Sequence, residues 1–334
     1  MSRSGKNILL LCLFATIISL AEQQPITLVD FEESMQTHTL MHLVLHGNAH
    51  IFGFPPHVLL DTFKQLYDKN KEFLTQPSNA TRIPRYIHVI WLGGQLPEAY
   101  EPFYHSWLDH HPSWTHIFWT DNPANYQFGS VICKSFDELN ACLEAHSDKS
   151  MRIVVDTTHL CFENKQFFDA SKNYGERSDI LRLEIVYRYG GVYVDTDCEC
   201  LQPLDQLNYC YDFYAGLHPL DTYYVQIGTA LFAAIPSHPL LRVCVDGIKN
   251  NQHIDSSNNI ASIIEKTGPV HVTRSFLNHH TTDNHRNIIF PATYFYPCGW
   301  SLRSTLQKEW FTKEAFAVHH WEGSWLKAEG FLRS

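Results

Sequence analysis

The sequence is short of charge, and shortest of basic charge. Charged side chains make up 18% of its 334 residues, and 25 Lys and Arg stand against 35 Asp and Glu. The formal net charge is −10. Binding a nucleic-acid backbone needs clustered Lys and Arg, so the composition argues against DNA or RNA as partners. It leaves room for one small basic pocket that holds a diphosphate. No CxxC pair occurs, which argues against a zinc ribbon. Internal repeats and low-complexity tracts are also missing, so neither a solenoid nor a disordered chain is expected. Beyond the first two dozen residues no run is long and apolar enough to span a bilayer.

What is present is a large apolar fraction. Hydrophobic residues reach 44%, enough for a sizeable core in one large α/β domain with decorations or in two small domains. At the N-terminus, Arg3 and Lys6 precede a nearly unbroken apolar run from Ile8 to Ala21. That run is short for a membrane span, and Ser19 and Ala21 supply the small residues that a signal peptidase cuts after. Residues 1–21 read as a signal peptide, with a signal anchor as the alternative and the only expected membrane link. Eight of the nine cysteines lie beyond this leader. Their even number fits disulfides in an oxidising compartment, and equally fits buried small apolar side chains. Asn79-Ala80-Thr81 is a glycosylation sequon.

Residues 22–80 read as a helical extension. Val58, Leu59, Thr62, Phe63, Leu66 and Phe73 recur at near-helical spacing, and Pro77-Ser78-Asn79 looks like a linker. A different style follows. Tyr86 to Leu92 is an apolar, β-rich run closed by Gly93-Gly94, as a buried first strand would be. Phe103–Leu108 suits a helix, Thr115–Trp119 a second strand and Ile153–Val155 a third. Arg177–Tyr189 has a broad apolar helical face and stops at Gly190-Gly191. Val192–Val194 is then a strand, followed at once by Asp195-Thr196-Asp197. Ala230–Ala233 suits another strand, and Ile260–Glu265 a helix ended by Gly268-Pro269. Alternating strands and helices predict an α/β sheet, whose ligands collect at the carboxyl ends of the strands.

That is where the D-x-D pair of Asp195 and Asp197 falls. Two carboxylates in a turn after an apolar strand can face one hard cation such as Mn²⁺ or Mg²⁺, whose remaining ligands are water and substrate phosphates. The cation then neutralises charge on a departing nucleoside diphosphate. Asp179 and Arg182 lie three apart on the preceding helix and share a face. They are either a local ion pair or contacts for a sugar's hydroxyls, and Arg182 could also neutralise phosphate. Trp91, at the end of the first strand, is either core packing or a stacking platform for a nucleobase. His319 and His320 sit near Ser324 and Trp325, and either imidazole could add a nitrogen to the metal.

Three blocks carry a family resemblance. They are Ile83-Pro84 with Ile87 to Gly93, Arg177 to Arg182 running on to Tyr189–Asp197, and His319 to Trp325. Together they resemble the DXD-containing sugar transferases of glycosyltransferase family 32, which include yeast-type mannosyltransferases. The first two also look like the catalytic domain of the large clostridial glucosylating toxins. The resemblance implies a GT-A fold (a Rossmann-like nucleotide-diphospho-sugar transferase) over residues 82–330 and a nucleotide-sugar donor. It implies transfer with retention to a glycan, glycolipid or protein hydroxyl. By analogy Ile90, Trp91, Ser178, Tyr193 and Thr196 line the nucleotide-sugar, with Trp91 on the base. Asp179 and Arg182 hold the sugar. Asp195 touches ribose or sugar and reaches the metal through water, and Asp197 binds the metal directly. His319 joins the metal while Ser324 and Trp325 close over the diphosphate. One departure stands out. Many relatives carry Asn before a strand of small residues, where this chain has Val225-Gln226-Ile227-Gly228-Thr229-Ala230, and any contact that needs that Asn is in doubt.

Other classes remain open at this level. One is a catalytically silent sugar-binding effector on the same fold. Another is a D-x-D phosphatase, although Glu199 stands where such enzymes want Thr or Val. UDP-glucose, UDP-N-acetylglucosamine, UDP-galactose and GDP-mannose are all candidate donors. The leader points to the secretory pathway, Golgi included, or to secretion from a bacterium.

Overall fold

The computed structural model describes residues 26–39, 55–126, 131–147, 149–222, 224–254, 260–280 and 284–324. The leader and Trp325 lie outside them. Ten strands and ten helices are used below, numbered in chain order. The strands are β1 (Tyr86–Trp91), β2 (Thr115–Thr120), β3 (Val131–Cys133), β4 (Arg152–Asp156), β5 (Gly191–Val194), β6 (Cys198–Cys200), β7 (Phe213–Leu217), β8 (Ile227–Ala234), β9 (Asn287–Phe290) and β10 (Ala317–His319). The helices are α1 (Phe31–Gln36), α2 (Pro56–Asn70), α3 (Glu101–His110), α4 (Phe136–Ala145), α5 (Lys165–Ala170), α6 (Tyr174–Tyr189), α7 (Asp205–Cys210), α8 (Pro239–Asn250), α9 (Ile260–Lys266) and α10 (Pro269–His279).

Eight strands form one sheet in the order β3-β4-β2-β1-β5-β8-β7-β9. Every neighbouring pair is parallel except those made by β8, which runs against both β5 and β7. The α/β expectation therefore holds. Strands covered on both faces read as continuous apolar runs, and β1, β2, β5 and β8 are buried along nearly their whole length. β6 and β10 make a separate antiparallel ribbon, with His319 opposite Cys198 and Val318 opposite Glu199.

Helix α6 governs the site. Asn173 caps its start by accepting the Glu176 N–H. Its end is Gly190 at φ +64°, where a Cβ would fall 2.7–2.9 Å from Pro236 and the Ala234 carbonyl. Only glycine fits both the left-handed backbone and that approach. The chain then reverses directly into β5, so the acidic turn lands at the sheet's carboxyl edge.

Several expectations change. Residues 77–79 are no free linker, because the Ser78 N–H donates to the Tyr209 carbonyl and the Arg82 and Ile83 N–H groups to that of Asn208. The extension docks on the sheet through α1 and α2. Tyr67 pairs with Tyr294, and Asn70 reaches the Asn287 carbonyl beside β9. This covers an edge strand that would otherwise stand open. The strand read at 153–155 is fourth in the chain, because β3, only three residues long, carried no visible period. Gly268-Pro269 both ends α9 and starts α10, with Pro269 at the first turn, where its missing N–H costs nothing. The eight described cysteines are free thiols, six of them buried, so the apolar reading prevails over disulfides. Asn79 is exposed, and the sequon is reachable. Among the described residues no helix is long and apolar enough to cross a membrane.

Candidate active site

The carboxyl ends of β1 and β5, the N-terminal half of α6, the β8 start and the β6–β10 ribbon meet at one place. Trp91 and Val194 end adjacent parallel strands, and the chain after each turns outward. Asp195-Thr196-Asp197 is the turn between β5 and β6. It is pinned by three backbone bonds: Asp195 N–H to the Ala230 carbonyl (2.7 Å), Cys198 N–H to Asp195 (3.1 Å) and His320 N–H to Asp197 (2.9 Å). The Trp107 indole adds a fourth bond, to the Cys198 carbonyl at 2.8 Å.

Two side-chain groups form on this frame. The first is centred on Arg182, only 6% exposed. Its guanidinium lies 3.4 Å from Asp179 and 3.1 Å from Asp195, donates to the Thr229 carbonyl at 2.8 Å and through Nε to Ser178 at 3.2 Å, and stacks over Tyr193 at 4.5 Å. The Tyr193 hydroxyl donates to Asp195 Oδ1 at 2.6 Å. Burial works against the Arg182 charge, but the flanking Asp195, Tyr193 and Asp179 outweigh it and fix the cation. Burial also pushes the Asp179 carboxyl up to about 7, against the pull of Arg182. Arg182 is thus committed to two protein carboxylates, which leaves less of it for phosphate than the sequence suggested.

The second group is Asp197 and His319, 3.2 Å apart through Oδ1 and Nε2. The other Asp197 oxygen accepts the Glu322 N–H at 2.9 Å. Burial alone would raise the Asp197 carboxyl, but His319 and that N–H hold it below its usual value. His319 is opposed in the same way: burial lowers it, and Asp197 lifts it above the ordinary imidazole range. Asp197, Cys198 and His319 have donor atoms within 4.8 Å of one another. Burial keeps the Cys198 thiol well above its usual value, so it stays neutral and donates to the Ala230 carbonyl at 3.6 Å. The remaining oxygen and nitrogen donors suit a hard or borderline divalent cation such as Mn²⁺. Strand alternation separates the two histidines. His320 turns the other way, to Glu199 at 2.9 Å and onto the Phe103 ring.

The remaining predicted residues scatter around this core. Trp91 is half-buried, its ring 5.5 Å from Tyr100 and its indole N–H buried without a protein partner. Ile90 packs in the core beneath it. Thr196 is half-buried in the turn, and Ser324 is half-buried and bonds to Tyr100.

Three neighbours escaped the sequence reading. Tyr100 is 7% exposed and its phenol is pushed up to about 12, by burial first and by Asp197 and Glu322 next. The Thr267 hydroxyl donates to Asp179 at 3.2 Å, and a Cβ on Gly268 would press on the same carboxylate at 3.1 Å. Trp321 holds φ +58° between His320 and Glu322, an uncommon conformation for a bulky residue. Only the Gly-Pro punctuation at 268–269 could have pointed to any of these.

Comparison with known proteins finds similarity over part of the chain. Residues 97–214 match the family described as glycosyltransferase sugar-binding region containing DXD motif. The chain is similar to inositol phosphoceramide mannosyltransferase 3 of Schizosaccharomyces pombe, 28% identical over 49% of this chain and 39% of that protein. It is 27% identical to mannosyl phosphorylinositol ceramide synthase SUR1 of Saccharomyces cerevisiae, over 58% of this chain and 42% of that one. Human alpha-1,4-N-acetylglucosaminyltransferase is 30% identical over 28% of this chain and 26% of its own length. The chain thus spans about two-fifths of the two yeast relatives. Among solved structures, the catalytic domain of alpha-toxin from Clostridium novyi matches 83% of this chain and 85% of that one at 11% identity, TM-score 0.47. The PaToxG glycosyltransferase matches 67% and 78% at 16% identity, TM-score 0.43. At that level of likeness, the site rests on its own side chains.

Proposed function

We propose that the protein is a retaining, divalent-metal-dependent glycosyltransferase that moves a hexosyl group from a nucleotide-sugar to a hydroxyl of a glycan, glycolipid or protein. The observation that carries this reading is the pair of acidic groups at one sheet edge. The Arg182 group is polar and completes its ion pairs within the protein, and the Asp197–His319 group is ready to exchange its internal contact for a cation. Asp197 and His319 would hold the metal, with Asp195 reaching it through water. Mn²⁺ or Mg²⁺ bound there would neutralise charge on the departing diphosphate.

The protein's own residues then position the donor. Trp91 stacks on the base. Asp179 and Asp195, held by Arg182, Tyr193 and Thr267, accept hydroxyl hydrogens of the sugar or ribose. Tyr100 and Ser324 close the diphosphate side and exclude water. Among the described residues no carboxylate stands out as a covalent nucleophile; the new bond would form on the face from which the diphosphate leaves, and a phosphate oxygen would take the acceptor's proton. The enzyme's share is orientation and preorganised charge. The two yeast relatives are named for mannosyl transfer to inositol phosphoceramide, which favours a glycolipid acceptor and mannose as the sugar here; the apolar N-terminal run favours a secretory-pathway location.

The test is a screen of donor hydrolysis and transfer with UDP-glucose, UDP-N-acetylglucosamine, UDP-galactose and GDP-mannose, with and without Mn²⁺. One donor should turn over only with metal, and Asp197→Ala should abolish that turnover while the fold persists. Wild-type rates in Asp197→Ala would end the proposal.

A further inference from the structure

We propose that Asp121 reads the base of the donor, selecting a ring that presents a protonated nitrogen between carbonyl-type neighbours (uracil or guanine) over cytosine and adenine. The inference rests on the donor-binding reading above and names a residue that reading does not use. Asp121 directly follows Thr120, which pairs with Trp91 across β1 and β2. The carboxylate therefore sits beside the proposed stacking platform, at the edge where ligands of such sheets collect.

Its orientation is fixed. Both oxygens accept the Gly93 N–H, at 3.0 and 3.1 Å. Gly93 itself is held at φ +86°, and a Cβ there would fall 2.5 Å from the Tyr174 ring. Gly94 is anchored through its carbonyl to the Tyr126 hydroxyl, which in turn accepts the Leu96 N–H. The turn after β1 is thus clamped from both sides, and Tyr174, 39% exposed, screens it. One N–H shared between two oxygens leaves most of the lone pairs of Asp121 unused, and the residue is half-exposed.

An ionised carboxylate only accepts. Uracil offers N3–H, and guanine offers N1–H with an exocyclic amine beside it. Cytosine N3 and adenine N1 are bare acceptors, so their lone pairs would face the carboxylate. A missing or repelled partner at a site built for a hydrogen bond discriminates far more strongly than a size difference does. A charge-assisted bond of this kind corresponds to roughly tenfold or more in affinity. Asp121→Asn keeps an oxygen for Gly93 and converts the other position into a donor.

The experiment is calorimetric titration of the full chain with UDP, GDP, CDP and ADP, each with Mn²⁺, for wild type and Asp121→Asn, with thermal melts to show that the variant is folded. Wild type should bind UDP or GDP about tenfold or more tighter than CDP and ADP, and the UDP and GDP arms identify which base is preferred. Asp121→Asn should lose about tenfold for that nucleotide and gain for CDP. Equal binding of all four by wild type would overturn the assignment. So would an equal loss for all four in a folded variant, which would make Asp121 only a support for the turn. If no nucleotide binds wild type, the donor-binding reading itself falls and this inference with it.

Discussion

The two acidic groups of the site are built on opposite principles. Around Arg182 two carboxylates share one guanidinium, and nearly every polar atom has a protein partner. Asp197 and His319 have each other and one N–H, and His319 Nδ1 is buried with no protein partner. The chain pushes their carboxyls in opposite directions, Asp179 upward and Asp197 downward. A satisfied network is rigid and suits hydroxyls that must be held in one orientation. An under-satisfied pair can trade its internal contact for an ion without breaking the fold. Size and burial are similar in the two groups, so what differs is how many bonds the protein itself completes.

The largest expected effect breaks the first group. Arg182→Met leaves the buried Asp179 and the half-buried Asp195 uncompensated and should cost about 3–5 kcal/mol of stability, read as a large drop in melting temperature or loss of soluble protein. Near-wild-type melting would mean that the network is not structural. Breaking the second group should do the reverse. Asp197→Asn should lower turnover by about 10²–10³, roughly 3–4 kcal/mol of barrier, with a modest change in melting and with Mn²⁺ binding weakened in titration. A large melting loss in that variant would erase the contrast.

The opposite pKa shifts give a third test. Asp179 has its folded value raised to about 7 from 3.8. The folded state therefore binds the extra proton, and stability from this group falls as pH rises from about 4 to about 7. Asp197, held low, adds stability above its ordinary value and loses it only as pH falls toward the folded one. Between pH 5 and pH 8 the Asp179 carboxyl should cost roughly 2.5 kcal/mol. Asp179→Asn should flatten that slope in denaturant titrations at the two pH values, and an unchanged slope would refute the raised value. The smallest effect comes from Tyr193→Phe. It removes the bond that orients Asp195 and should cost about 1–1.5 kcal/mol, seen as about a tenfold rise in donor KM or fall in turnover with little change in fold.

The readable parts of the chain were those where local pattern and global fold coincide. β1 and α6 are long, apolar and capped, and Gly190-Gly191 allows only one chain reversal, so Asp195 to Asp197 could be placed at the strand end from residue order alone. The Asp179–Arg182 spacing put both on one helical face, which the folded chain keeps. β3 and β10, at three residues each, have no period to read. α10 hid behind a Gly-Pro that serves two helices. Cysteine parity suggested bridges, but nothing in a count says which sulfurs meet.

Sequence by itself therefore determined the α/β class, the buried central strands and the position of the acidic turn, because each follows from near-neighbour periodicity and from glycine's backbone freedom. Tertiary structure decided the pairing of His319 rather than His320 with Asp197, and brought Tyr100 and Thr267 to the site. It also commits Arg182 to Asp195 as well as to its helix neighbour. The ion pairs Arg182–Asp195 and Asp197–His319 join residues 13 and 122 positions apart, and only the assembled sheet fixes which face of each strand meets which turn.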